Sequence, residues 1–190
     1  LIKLMAVTMG ETAADFLAVN LGLGLTATTA LMSVVLVGVM VAQLATKRYV
    51  PWAYWLAVVM ISIVGTLITD NLVDTFGVPL MTTTVVFSIA LAATFAVWYA
   101  TERTLSIHAI FTDRREAFYW LAILLTFALG TAVGDLISEF FGLGYTATGI
   151  LFGLIIASLA LGYYTLGLDP ILGFWLAYIL TRPLGASFGD

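Results

Sequence analysis

Cysteine is absent from these 190 residues, which excludes a disulfide framework and any thiolate metal site. Histidine occurs once, as His108 in a polar stretch, so zinc and copper lack the ligands they favour. A surface role is expected of it. Charge is scarce too: Asp, Glu, Lys and Arg make up 9% of the chain, where soluble domains carry about a quarter. The seven basic residues are scattered through short segments, and without a basic patch nucleic-acid binding has no support. No lysine lies late in the chain to carry a retinal Schiff base.

What remains is apolar. Hydrophobic residues make up 62% of the sequence, and the stretches 16–46, 49–69, 75–101, 117–134 and 140–168 contain no Asp, Glu, Lys or Arg. A span needs about 20 such residues, so the chain is expected to be an all-α, polytopic membrane bundle. Helices are expected at about 1–19, 26–46, 51–74, 80–101, 116–140, 145–166 and from Pro170 onward. The start at Leu1 shows no basic segment and cleavage site of a signal peptide, and the sequence is expected to be part of a longer protein.

The chain repeats itself. Gly10 and Asp15 form a Gly-x-x-x-x-Asp motif that returns as Gly65 and Asp70, Gly130 and Asp135, and Gly185 and Asp190. Trp55, Trp120 and Trp175 each stand fifteen residues before one of the aspartates. The turn Leu21–Thr28 reappears as 141–148. Each copy reads as a two-helix hairpin, which returns the chain to its starting side. The four copies are therefore parallel repeats about an axis along the membrane normal, with seven helices here and an eighth expected after Asp190. The longer interval between the second and third copies suggests a first half 1–101, a polar loop 102–116 and a second half 117–190. Lys47, Arg48, Arg103, Arg114 and Arg115 sit in the loops from even to odd helices, so the positive-inside rule places those loops in the cytoplasm. The three tryptophans would then belong to an aromatic belt at that face. At ~1.5 Å per residue, each motif Gly lies near the midplane and each Asp about 7 Å beyond it.

Chemistry is expected at the acids. Glu11, Asp15, Asp70, Asp135 and Asp190 cluster at similar depth, where ionised carboxylates are costly and find a partner or line a pathway. Arg182, beside Pro183, is the single basic residue within a helix interior and reads as a counter-ion or a gate. Oxygen ligands suit Mn²⁺, Mg²⁺ or Ca²⁺ as a transported ion rather than a cofactor, with Asp15 and Asp135 as metal ligands; a proton is the other candidate. A structural reading stands beside this one, with the acids bonded to backbone or locking helices together. Gly10, Gly65, Gly130 and Gly185 are expected to allow close helix approach. Thr28, Thr83 and Thr148 read as caps of the even helices or as hydroxyls lining a pore. The methionines, Met5 and Met9 included, read as core fillers.

Three functions compete. The leading one is cation transport without catalysis, with lipid and an inorganic cation or proton as partners. An accessory or scaffold subunit of a larger membrane assembly, or of a homo-oligomer, is the alternative. An intramembrane aspartyl protease is the third, since Gly134-Asp135 and Gly189-Asp190 are Gly-Asp pairs, but it requires two acids sharing one proton. The segments 10–17, 106–108 and 114–120, with the Leu-Gly-Leu-Gly-Leu-Thr turn, resemble a bacterial integral membrane family built from four repeats of about fifty residues, of unknown function. The resemblance implies a bacterial inner-membrane location and sequence beyond Asp190, and no reaction.

Overall fold

A computed structural model describes residues 2–20, 22–46 and 49–189. Lys47, Arg48 and Asp190, which carry part of the charge and motif expectations, lie outside the described residues. Among the described residues seven α-helices follow one another: α1 Ile2–Asp15, α2 Leu25–Ala45, α3 Pro51–Asp70, α4 Leu80–Glu102, α5 Asp113–Asp135, α6 Tyr145–Leu166 and α7 Pro170–Gly189. Six of them, α2 to α7, are long and apolar enough to cross a membrane. This is a multi-pass membrane protein.

Asp15, Asp70 and Asp135 each end an α-helix, and a π-helical turn follows at once: Phe16–Asn20, Asn71–Thr75 and Leu136–Phe140. Wider i→i+5 bonding closes these turns, as from the Phe76 N–H to the Asn71 carbonyl at 3.0 Å and from Phe141 to Leu136 at 3.1 Å. Gly24 and Gly144 then enter the even helices at φ 76° and 74°, a conformation that a side chain would strain. Helix α5 starts three residues earlier than expected. Thr112 caps it by accepting from the Arg115 N–H at 3.3 Å, so a charged turn is added below the apolar run.

The odd helices form a closed ring in which α1 packs on α3, α3 on α5, α5 on α7 and α7 on α1. The even helices stand outside, and each docks on the odd helix that follows it: α2 on α3, α4 on α5 and α6 on α7. Of the apolar windows, 67% is buried in α3 and in α5 but only 11–17% in the even helices, whose outward residues, such as Val34, Ile89 and Leu161, require lipid rather than water. The matching outer stripe of α1 is Ile2, Met5, Met9, Thr12 and Phe16, all exposed. Met5 and Met9 are therefore not core fillers, because spacing along a helix does not say which neighbour covers it.

Glycine sets the spacing of the ring. A Cβ on Gly10 would strike Ser62, one on Gly65 would strike Phe127, one on Gly130 Arg182, and one on Gly185 Val7. In every case the partner stands three residues before the motif glycine of the next odd helix, and the last contact returns to α1. Backbone contact accompanies it: the Thr69 hydroxyl of α3 donates to the Ala128 carbonyl of α5 at 3.0 Å, and the Thr8 hydroxyl of α1 to the Gly185 carbonyl of α7 at 3.1 Å.

The tryptophans close one end of this ring instead of forming a lipid-facing belt. Trp120 and Trp175 are buried, and Trp175 meets Trp98 edge-on at 5.8 Å between centroids. Its indole N–H donates to the Leu105 carbonyl at 2.9 Å. Trp55 is half-buried against the same core; spacing along a helix sets depth but not side, and Trp52, Tyr49, Tyr99 and Tyr164 are among the exposed aromatics.

Gly65→Ala should destabilise the protein by about 1–3 kcal/mol, the usual cost of overpacking a tight contact, since its Cβ would come within 2.9 Å of the Phe127 Cβ and 3.2 Å of the Ala128 nitrogen. Gly38→Ala, with open space beside it, should leave thermal stability unchanged or raised. Melting temperatures in detergent check both, and equal effects would contradict the ring geometry.

Candidate functional site

One residue after each motif glycine the ring presents a side chain to its axis: Glu11, Thr66, Thr131 and Ala186, all buried. These positions differ between the repeats because they meet one another across the axis, where four identical acids would repel. Glu11 pairs with Arg182, which is fully buried and reaches in from α7. The Thr66 hydroxyl donates to Glu11 Oε2 at 3.0 Å. Arg182 Nη2 donates to the hydroxyls of Thr66 and Thr131, the latter at 2.7 Å, and its guanidinium lies 5.5 Å from the centre of the Phe127 ring.

Arg182 reaches this position because it occupies the contact site of Gly130, with Pro183 beside it. A buried ion pair in low dielectric depends on added hydrogen bonds to offset desolvation, and here two threonines of neighbouring helices supply them. The arginine is not fully satisfied: its Nε and Nη1 have no hydrogen-bond partner among the described residues.

Beyond this layer lie the motif aspartates at the π-turn end. Asp70 and Asp135 are half-buried, and Asp15 is exposed one turn past Glu11. Asp70 stands in the electrostatic field of Glu11, Asp135, Asp15 and Asp74, and Asp15 in that of Glu11 and Arg182. The structure thus gathers Glu11, Asp15, Asp70 and Asp135 at one end of the axis, with Arg182 at the inner edge of the group; Asp190 lies outside the described residues. Among the described residues there is no group of three or more His, Cys, Asp and Glu side chains arranged to hold a metal ion.

Thr28, Thr83 and Thr148 do not cap. The residues that precede α2, α4 and α6 make no side-chain cap bond. The threonines are buried one turn inside instead, and Thr83 and Thr148 donate to the carbonyls of Pro79 and Gly144 at 3.3 and 2.8 Å. The four glycines make the ring contacts described above. His108 is exposed at the edge of a groove of about 490 Å³ between the polar loop, α6 and α7, away from the acids.

Toward the tryptophan end the axis continues through Tyr178, one turn before Arg182 on α7. Lys3 lies over its ring, 3.0 Å from the centre, and donates to its carbonyl. The Tyr54 and Tyr119 hydroxyls bond each other at 2.6 Å, with the Tyr178 hydroxyl beside them. At the rim Glu102 binds Arg114 at 2.5 Å and Arg115 at 2.6 Å, while Glu116 accepts from the Trp120 indole at 3.1 Å. Thr66, Thr131, Lys3 and these tyrosines were not expected as site residues. The register offered a signal for the threonines, since both stand at the position of Glu11.

Residues 1–49, 53–104 and 118–167 match the model of a repeat family described as Repeat of Unknown Function (DUF347). The chain belongs to this family. Each match holds one odd helix and the even helix after it, so the sequence unit is the hairpin, whereas the packed unit is an even helix with the next odd one. No curated protein and no solved structure matches the chain.

Replacing Arg182 with Met would leave Glu11 buried without its partner and should cost about 3–5 kcal/mol. The double variant Glu11→Leu with Arg182→Met should be more stable than Arg182→Met alone, as apolar replacement of a whole buried pair is often neutral or better. Thermal unfolding of the three proteins measures this. A double variant no more stable than the single one would mean that the pair is not coupled.

Proposed function

We propose that this protein transports a cation across the membrane, with the Glu11–Arg182 pair as its internal switch. The observation that carries this reading is a fully buried ion pair on the axis of the helix ring, with the motif aspartates beyond it at the π-turn end. Carboxylates at membrane depth require a compensating positive charge. Arg182 supplies it at Glu11, and a cation drawn in by Asp15, Asp70 and Asp135 competes for the same acid. When the cation neutralises Glu11, Arg182 is free to turn to another acceptor, and the ring contact it makes with Gly130 changes with it. Occupancy and conformation are then coupled through one side chain.

The π turns support the reading, because such turns inside helices frequently accompany functional sites and here each follows a motif aspartate. Arg103, Arg114 and Arg115 at one end and Asp74 and Glu139 at the other suggest an orientation with the even-to-odd loops in the cytoplasm. The bacterial inner membrane is the membrane we assign. The transported ion is a hard divalent cation such as Mn²⁺, Mg²⁺ or Ca²⁺, or a proton, and the protein has no cofactor in this scheme.

A scaffold subunit in a larger membrane assembly is the second reading. The glycine contacts favour it, since they bring the four odd helices into backbone contact around an axis that has its own internal partners.

Purified protein in liposomes decides between them. Asp15→Asn combined with Asp135→Asn should lower cation flux at least tenfold, with the elution profile on size exclusion unchanged. Flux unaffected by the substitutions would remove the acids from the mechanism. Absence of flux together with co-purification in fixed stoichiometry with other membrane proteins would favour the scaffold.

A further inference from the structure

Resting on the transport reading, we propose that the species moved is a proton and that the inner half of its route runs through Tyr178, Tyr119 and Tyr54. The groups on the axis follow one another from end to end. Asp15, Asp70 and Asp135 stand at the π-turn end, then Glu11 with Arg182, then Tyr178 one turn further along α7, then the Tyr119–Tyr54 hydroxyl pair at 2.6 Å. Each of these groups except the arginine takes up and releases protons or relays them through a hydroxyl.

Between the Glu11 layer and the tyrosine layer, buried polar atoms lack partners among the described residues. Arg182 Nε and Nη1 are without hydrogen bonds in a residue that is fully buried, and the Tyr178 hydroxyl has no partner of normal geometry. Buried polar groups are satisfied by protein or by ordered water, and a polar site with several such partners is where water is held. In this proposal a water bridges Arg182 and Tyr178 and joins the two layers, beside Lys3 over the Tyr178 ring.

The same geometry argues against a metal ion on this path. Glu11, Thr66 and Thr131 offer oxygens from three helices, but a guanidinium occupies their centre and repels a divalent ion. Mg²⁺ demands about six oxygen ligands in near-octahedral array, whereas this layer offers one carboxylate and two hydroxyls already bonded to Arg182. A proton needs no such array. It neutralises Glu11 in place.

The transfer balances at every step. A proton passes from Asp70 or Asp15 to the Glu11 carboxylate, which becomes neutral and loosens Arg182. Glu11 gives that proton to the bridging water, which releases one of its own to the Tyr178 oxygen. Tyr178 donates its former hydroxyl proton to Tyr119, and Tyr119 does the same toward Tyr54 and the rim. Tyr54 releases its former proton to solvent at the rim and the aspartate takes one up from solvent at the π-turn end, so each group ends as it began, with one proton carried and nothing oxidised or reduced. The charged groups around Glu11 include Asp15 on α1, Asp70 on α3 and Arg182 on α7, with Asp135 of α5 close to Asp70 and Lys3 of α1 close to Arg182, and neutral Thr66 and Thr131 complete the layer.

The test uses the full chain in liposomes with a pH dye inside, an imposed pH gradient and potassium with valinomycin as charge balance; a second set holds a dye for Mn²⁺. Wild-type protein should collapse the gradient without Mn²⁺ entry. Glu11→Gln should slow collapse at least tenfold, and Tyr119→Phe and Tyr178→Phe, which keep ring and volume, several-fold each. If Glu11→Gln fails to fold, the tyrosine variants still decide the route. Tyrosine variants as fast as wild type would overturn the inner route. Mn²⁺ entry with the proton gradient intact would overturn the proton and leave cation transport standing, whereas movement of neither ion would remove both readings.

Discussion

Four glycines bring four helices into contact where side chains would otherwise hold them apart, and most of what is distinctive in this protein depends on that approach. Without a hydrophobic force between helices in lipid, association rests on van der Waals contact and hydrogen bonds. Gly10, Gly65, Gly130 and Gly185 provide the first, each meeting the residue three positions before the next glycine around the ring. Thr8, Ser62 and Thr69 provide the second, by donating to carbonyls of the adjoining odd helix. Because the pattern returns from α7 to α1, the ring closes and acquires an interior.

That interior explains where the repeats stop resembling one another. A position repeated on the outside of a bundle meets lipid four times and tolerates four similar residues. A position repeated at the axis meets its own copies. Glu11, Thr66, Thr131 and Ala186 occupy such a position, and their difference lets one acid, two hydroxyls and a small apolar residue surround a single guanidinium. Arg182 departs in the same way: Ser62, Phe127 and Val7 hold the equivalent contact sites, and the one charged member of the set reaches across to the one acid of the other. Divergence among copies thus marks the chemistry, while the retained glycine and aspartate mark the scaffold that frames it.

The even helices play a different part. They are apolar on nearly all sides and bind the following odd helix instead of the partner of their own hairpin. Successive repeats are thereby laced together, since no hairpin is packed until its neighbour is in place. The tryptophan end is sealed by Trp98 and Trp175 in edge-on contact and by Trp120 against Tyr54 and Tyr119, whereas the opposite end carries the aspartates at the start of the π turns. The two ends of the axis are thus chemically opposite, one aromatic and hydroxyl-bearing, the other acidic.

Much of this was legible in the residues alone. The apolar runs, the absence of cysteine and the near-absence of internal charge determine a helical membrane protein, because nothing else satisfies backbone groups in lipid over such lengths. The Gly-x-x-x-x-Asp repeat, with a tryptophan fifteen residues earlier in the later copies, sets its features at matching heights along the odd helices, since rise per residue is constant along a helix. Which side a residue faces, and across from whom, was decided by the tertiary structure. The tryptophans turned inward, Met5 and Met9 turned outward, the threonines at the helix starts packed instead of capping, and Arg182 chose Glu11 over the aspartates. The reason is geometric: sequence periodicity measures position along an axis and angle around one helix, but partners across a ring of four helices are set by how closely their backbones come together.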